Sequence, residues 1–177
     1  MKYNILVWQF FNLNKNYLIK NLKSYKIINK FFLNRFEKNK KDDLSSILQN
    51  TDYLIKNYSN INKNLEKIHK KVYDKVYEKY LKNVYAVELN GIRKDDFNPF
   101  DYSKLLSCQI NCILDFYKKN KINLLISSPF LCVGFDFLVY YVAKVLNIKT
   151  ILLVSQLRNK FFICTDLSDF GKFETIP

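Results

Sequence analysis

The sequence predicts an α/β fold: a Rossmann-like parallel sheet with crossover helices, joined to a helix-rich, Lys-rich N-terminal half. Three observations carry this expectation. From Asp101 to Val154 the chain reads helix, buried strand, helix, buried strand with short connections, the pattern of a parallel sheet wound by crossover helices. Only 3 Gly and 3 Pro occur in 177 residues, too few for the tight turns of a small sandwich or barrel. Hydrophobic residues make up 49% of the chain, which excludes wholesale disorder, and a chain of this size buries roughly 70% of its unfolded surface. One domain spanning residues 1–177 is expected.

Tyr3 to Phe11 is rich in β-branched and aromatic residues and reads as a buried strand. From Asn12 to Glu37 apolar residues recur at three- and four-residue steps (Leu18, Leu22, Tyr25, Ile28, Phe32, Phe36). That spacing fits an amphipathic helix, or a helix followed by a short strand around Tyr25 to Leu33. Glu37 to Asp43 is a polar loop. Residues 44–82 carry one long helical stripe through Leu48, Leu54, Ile55, Tyr58, Ile61, Leu65, Ile68, Val72, Val76 and Tyr80, with lysines on the other faces. His69 falls one position beyond the stripe and is expected to be a partly exposed bystander. Tyr85 to Leu89 is a short strand candidate, followed by a turn at Gly91.

Asp101 can cap a helix from Tyr102 to Asn120 that is apolar around most of its circumference, so it should be packed on more than one side; Lys118, Lys119 and Lys121 complement its C-terminal dipole. Ile122 to Ser127 is a buried strand. Gly134 opens a second helix, with Phe135, Leu138, Val139, Val142 and Leu146 inward. Ile148 to Val154 is a further near-continuous apolar strand.

The formal net charge is +13, with 26 Lys but only 3 Arg. Groove readout and bidentate phosphate clamps draw on Arg, so nucleic acid is a disfavoured partner. Lys, Asn, Ile, Tyr and Phe rise together as A/T-rich codons would make them, and part of the charge follows from that. The charge is also local: residues 1–85 hold 18 basic and 7 acidic side chains, residues 86–177 hold 11 and 9. An alternative reading of the N-terminal half is therefore a non-enzymatic binding module that uses its Lys-rich helices on nucleic acid or on an anionic membrane surface. Cys108, Cys112, Cys132 and Cys164 lie among apolar residues without a CxxC pair, and the chain has one His, so buried thiols are expected and a zinc site is not. Such thiols suit a reducing cytoplasm, with peripheral contact at the inner membrane as the extension of that expectation. No run of about 18 apolar residues suggests a membrane-spanning helix.

Open parallel sheets bind ligands beyond the carboxyl ends of their strands. That rule selects Ser127 and Ser128, then Gly134 at the helix start with Asp136 just inside it, and Ser155, Gln156, Arg158 and Asn159 after the last strand. Their hydroxyls, amides and guanidinium could hydrogen-bond a sugar or a phosphate. The absence of GxGxxG and GxxxxGK[ST] disfavours dinucleotide and Walker-type nucleotide binding, and no cofactor is expected on this chain. No catalytic base can be named by pattern; Asp136, Asp166 and Asp169 are candidates by position.

Three stretches, Asp136 to Thr150 (DFLVYYVAKVLNIKT), Arg158 to Phe162 (RNKFF) and Asp166 to Phe173 (DLSDFGKF), carry a resemblance over residues 75–175. They resemble the N-terminal half of bacterial capsule or surface polysaccharide biosynthesis proteins of glycosyltransferase-B type. The resemblance implies the acceptor-side lobe of a two-lobe transferase, with a sugar or lipid-linked acceptor as partner. It implies that the nucleotide-sugar donor binds only with a second lobe, from a second domain or subunit, so that this chain is incomplete for catalysis alone. Where the family is expected to have a Pro-His pair, this chain has Pro129-Phe130, so a histidine-based role in that loop is not implied here.

Overall fold

The computed structural model describes residues 2–8, 21, 24, 28–34, 51–83, 99–127, 134–156 and 160–169. The elements in chain order are β1 (Tyr3–Trp8), β2 (Ile28–Asn34), α1 (Thr51–Tyr58), α2 (Glu66–Asn83), α3 (Pro99–Asn120), β3 (Leu124–Ser127), α4 (Gly134–Val145), β4 (Lys149–Gln156) and β5 (Lys160–Cys164), followed by a 3-10 turn at Leu167–Asp169. The strands form one sheet in the order β2-β1-β3-β4-β5. All neighbours are parallel except β4 and β5, which are antiparallel.

The α/β class and the parallel winding expected from the sequence are present. In the N-terminal half, the helix-then-strand alternative holds at its strand: β2 occupies Ile28–Asn34. The expected strand at Tyr85 to Leu89 and the loop at Glu37 to Asp43 lie outside the described residues. Two expectations need correction. Over its described part, from Thr51 on, the single stripe expected for residues 44–82 is two helices, because Asn62 accepts the backbone N–H of Asn64 through its side chain at 3.0 Å and forms an Asx turn between α1 and α2. The second concerns Arg158 to Phe162, taken from the sequence as a motif without secondary structure: Lys160–Cys164 form β5, which turns back on β4.

The strand order explains where the helices lie. The steps from β2 to β3 and from β3 to β4 run in the same direction across the sheet, so right-handed crossovers place α1 to α3 and α4 on the same face. Leu6, Trp8 and Leu125 point to that face and join one core with Leu54 of α1, Val72 and Val76 of α2, Ile110, Ile113 and Leu114 of α3, and Leu138 and Val142 of α4. α3 is the centre of this layer and is buried around most of its girth, as its composition requires. Tyr117 on it is fully enclosed and donates its hydroxyl to the Val139 carbonyl of α4 at 2.9 Å; burial pushes its phenol well above the ordinary range.

The connections on either side of β3 are built alike. After α3, Ile122 N–H reaches Tyr117 O at 3.0 Å and Lys121 N–H reaches Lys118 O at 3.1 Å; after α4, Ile148 N–H reaches Ala143 O at 2.9 Å and Asn147 N–H reaches Lys144 O at 3.1 Å. Both are Schellman caps, and both put a non-glycine residue in the left-handed region, Lys121 at φ 52° and Asn147 at φ 56°. At the amino end of the sheet, buried Asn4 ties β1 to the first of these turns. Its amide donates to the carbonyls of Asn120 (3.1 Å) and Lys121 (2.9 Å), while its oxygen accepts Asn29 Nδ2 from β2 at 2.8 Å. Among the described residues, no helix is long and apolar enough to cross a membrane.

Candidate functional site

The sheet reverses its winding between β1 and β3. This is the topological switch point where α/β sheets open a crevice at the carboxyl ends of their strands. β1 ends at Trp8 and β3 at Ser127, and the two are register partners; Ser127 is in turn opposite Leu152 of β4. α4 begins at Gly134, so its first turn sits over these strand ends. Asp136 in that turn is buried, and its Oδ1 accepts the indole N–H of Trp8 at 2.7 Å. The short distance suits a charge-assisted bond, and the N-terminal end of α4 favours a carboxylate there. The Phe135 ring packs on Trp8 with centroids 5.6 Å apart.

Of the residues selected from sequence, Ser127, Gly134 and Asp136 are brought together here. Ser155 and Gln156 end β4, paired with Phe161 and Lys160 of β5, three and four residues past the level of Ser127. At about 3.3 Å per residue this puts Ser155 about 10 Å further along the strand direction. Ser128, Arg158 and Asn159 lie outside the described residues. Sequence reasoning passed over Trp8, although a buried indole N–H at a strand end needs an acceptor, and the nearby helix start supplied a carboxylate.

Asp166 and Asp169 do not belong to this site. β5 runs back toward the amino end of the sheet, where the Thr165 carbonyl accepts the Thr150 hydroxyl at 2.6 Å. Asp166 then ion-pairs with Lys144 at 2.7 Å, near the C-terminal end of α4, while Asp136 stands eight residues earlier on that helix, about 12 Å along its axis. The two aspartates form a capping box. Asp166 Oδ1 accepts Ser168 N–H at 2.9 Å, and Asp169 Oδ2 reaches back to Asp166 N–H at 3.1 Å. The Lys144 ammonium and the Ser168 N–H hold the Asp166 carboxyl well below the usual carboxylate range. The D-x-x-D spacing of the resemblance is thus explained here by a turn.

His69, expected as a partly exposed bystander, is buried between α2 and α3 because its helix face turns onto Ser107. Its Nε2 lies 3.2 Å from both the carbonyl and the hydroxyl of Ser107, and its ring stacks on Tyr73 at 6.1 Å. Burial lowers its pKa, opposed by the Ser107 carbonyl bond. The Ser107–His69 distance would suit a nucleophile and base, but no carboxylate hydrogen-bonds the ring among the described residues and the hydroxyl faces a packed helix interface. In this arrangement the ring packs between α2 and α3. Cys108, Cys112 and Cys164 are buried free thiols as expected, and burial pushes Cys112 up to about 12; Cys132 lies outside the described residues. Among the described residues no group of three His, Cys, Asp or Glu could hold a metal ion. No family model matches the chain, and no curated protein or solved structure is significantly similar to it.

Proposed function

We propose that the chain is the acceptor-binding lobe of a glycosyltransferase-like assembly for capsule or surface polysaccharide, holding a hydroxyl-rich sugar or lipid-linked sugar at the carboxyl ends of β1, β3 and β4. The observation that carries this is the switch point. The strand order reverses between β1 and β3, the position at which α/β sheets generally bind ligands, and the α4 N-terminus with Asp136 faces the same end of the sheet. Trp8 fixes the Asp136 side chain, so Asp136 acts in this reading as a positioning residue. The resemblance of Asp136 to Thr150 and Arg158 to Phe162 to polysaccharide biosynthesis proteins supports the sugar class. A nucleotide-sugar donor would bind on a second lobe contributed by another domain or subunit.

The single tryptophan makes the test direct, since the chain has one indole N–H resonance. The labelled chain is titrated with a panel of neutral monosaccharides and N-acetylhexosamines, and separately with UDP. A saturable shift of the Trp8 indole signal with at least one sugar, absent with UDP and weakened in Asp136→Asn, is expected. A signal that no sugar moves, or that UDP alone moves, would overturn the proposal.

A further inference from the structure

Side chains alternate across a strand, so Ile5, Leu124, Ile126 and Ile151 face away from the layer of helices that Leu6 and Leu125 join. On that second face a groove of ≈ 620 Å³ opens at the amino ends of the strands, with these four residues among its lining and Ile28 and Ile148 beside them. Leu124, Ile126 and Ile151 are only half-buried on this face. The groove has the size and apolar character of a small-molecule site, with polar groups confined to one rim.

At that rim the charges are unequal. Lys144 is neutralised by Asp166 at 2.7 Å, and the Thr150 hydroxyl is donated to the Thr165 carbonyl. Lys149 is exposed, and its ammonium stands 5.8 Å over the Tyr3 ring; among the described residues no carboxylate is paired with it. An apolar trough ending in one cation is complementary to a hydrocarbon chain ending in one anion. We propose that this groove binds a long-chain amphiphile of the fatty-acyl carboxylate class, its chain along the isoleucine and leucine floor and its carboxylate on Lys149. The site lies at the opposite end and opposite face of the sheet from Trp8 and Asp136, and does not depend on the sugar-binding reading.

Displacement of a fluorescent fatty-acid probe from the full chain by dodecanoate, dodecanol and dodecyltrimethylammonium tests this. Dodecanoate should displace the probe at one site per chain and bind about tenfold or more tighter than dodecanol, as one charge-assisted contact provides. Lys149→Glu should lose about the same factor and Lys149→Arg should retain binding. Lys63→Glu, which changes net charge equally at an exposed position between α1 and α2, should leave binding unchanged. Absence of saturable displacement, equal binding of dodecanol, or an equal loss in Lys63→Glu would each overturn the proposal. Lys149 is exposed, so these substitutions leave the core untouched, and the comparison of head groups on the unaltered chain decides the question without any variant.

Discussion

His69 shows how much one side chain's surroundings matter to a sequence-based reading. Its neighbours in the chain, Ile68 and Lys70, suggested a boundary position, and only the docking of α2 on α3 buries it. Burial lowers the imidazole pKa in the fold below the ordinary value near 6.5 that it keeps in the unfolded chain. As pH falls below about 6.5 the unfolded chain takes up this proton first, so stability is lost toward acid and is fully present above that pH. Chemical denaturation from pH 7.5 to 5 should show this loss. His69→Gln should cost about 1 kcal/mol at pH 7.5 and flatten the slope in that window; an unchanged slope would remove His69 from the account. Trp8 and Asp136 make the complementary point. Each was visible alone, one as a strand residue and one as a helix start, and their pairing across 128 positions needed the sheet.

Among elements, α3, β3, α4 and β4 were legible because each is apolar on nearly every side, and continuous apolar runs with short links leave few arrangements. The α1–α2 break was not, since Tyr58, Ile61 and Leu65 keep helical spacing straight through it while Asn62 does the local work of turning the chain. β5 is harder to see because its apolar run, Phe161 to Cys164, directly follows the polar Arg158-Asn159-Lys160 stretch, which reads as a loop beyond the last strand. The Schellman caps were half legible: Asn147 is a residue that tolerates the left-handed region, whereas Lys121 is not. Lys121→Gly should therefore relieve backbone cost and stabilise by about 0.5–1 kcal/mol, raising the melting temperature by about 1–4 °C. Calorimetry checks this, and a lowered melting temperature would show that the Lys121 side chain contributes more than its φ costs.

For the whole molecule, the sum of +13 resolves into position. Lys63, Lys67, Lys70, Lys71 and Lys75 are all exposed along the start of α2 and the turn before it, giving the helical layer a basic outer surface. If that surface meets anionic lipid, the chain should co-sediment with phosphatidylserine-containing vesicles at low salt, should be released as salt shortens the Debye length toward 8 Å, and should ignore neutral vesicles. Equal sedimentation with both vesicle types would sink the idea. The sheet meanwhile separates two poles: Trp8, Ser127 and Asp136 at the carboxyl ends, Lys149, Tyr3 and Asp166 at the amino ends.

The reversal at β5 has a mechanical consequence. Because β5 runs antiparallel to β4, Thr165 returns to the same edge of the sheet from which Tyr3 departs, with β3 and β4 between their strands. A load applied between those two residues therefore runs across the strands and not along them. It would meet the hydrogen bonds of each ladder one after another, as a zipper does, and would never strain a whole ladder at once. The same sheet pulled along its strand axis would share the load over every rung.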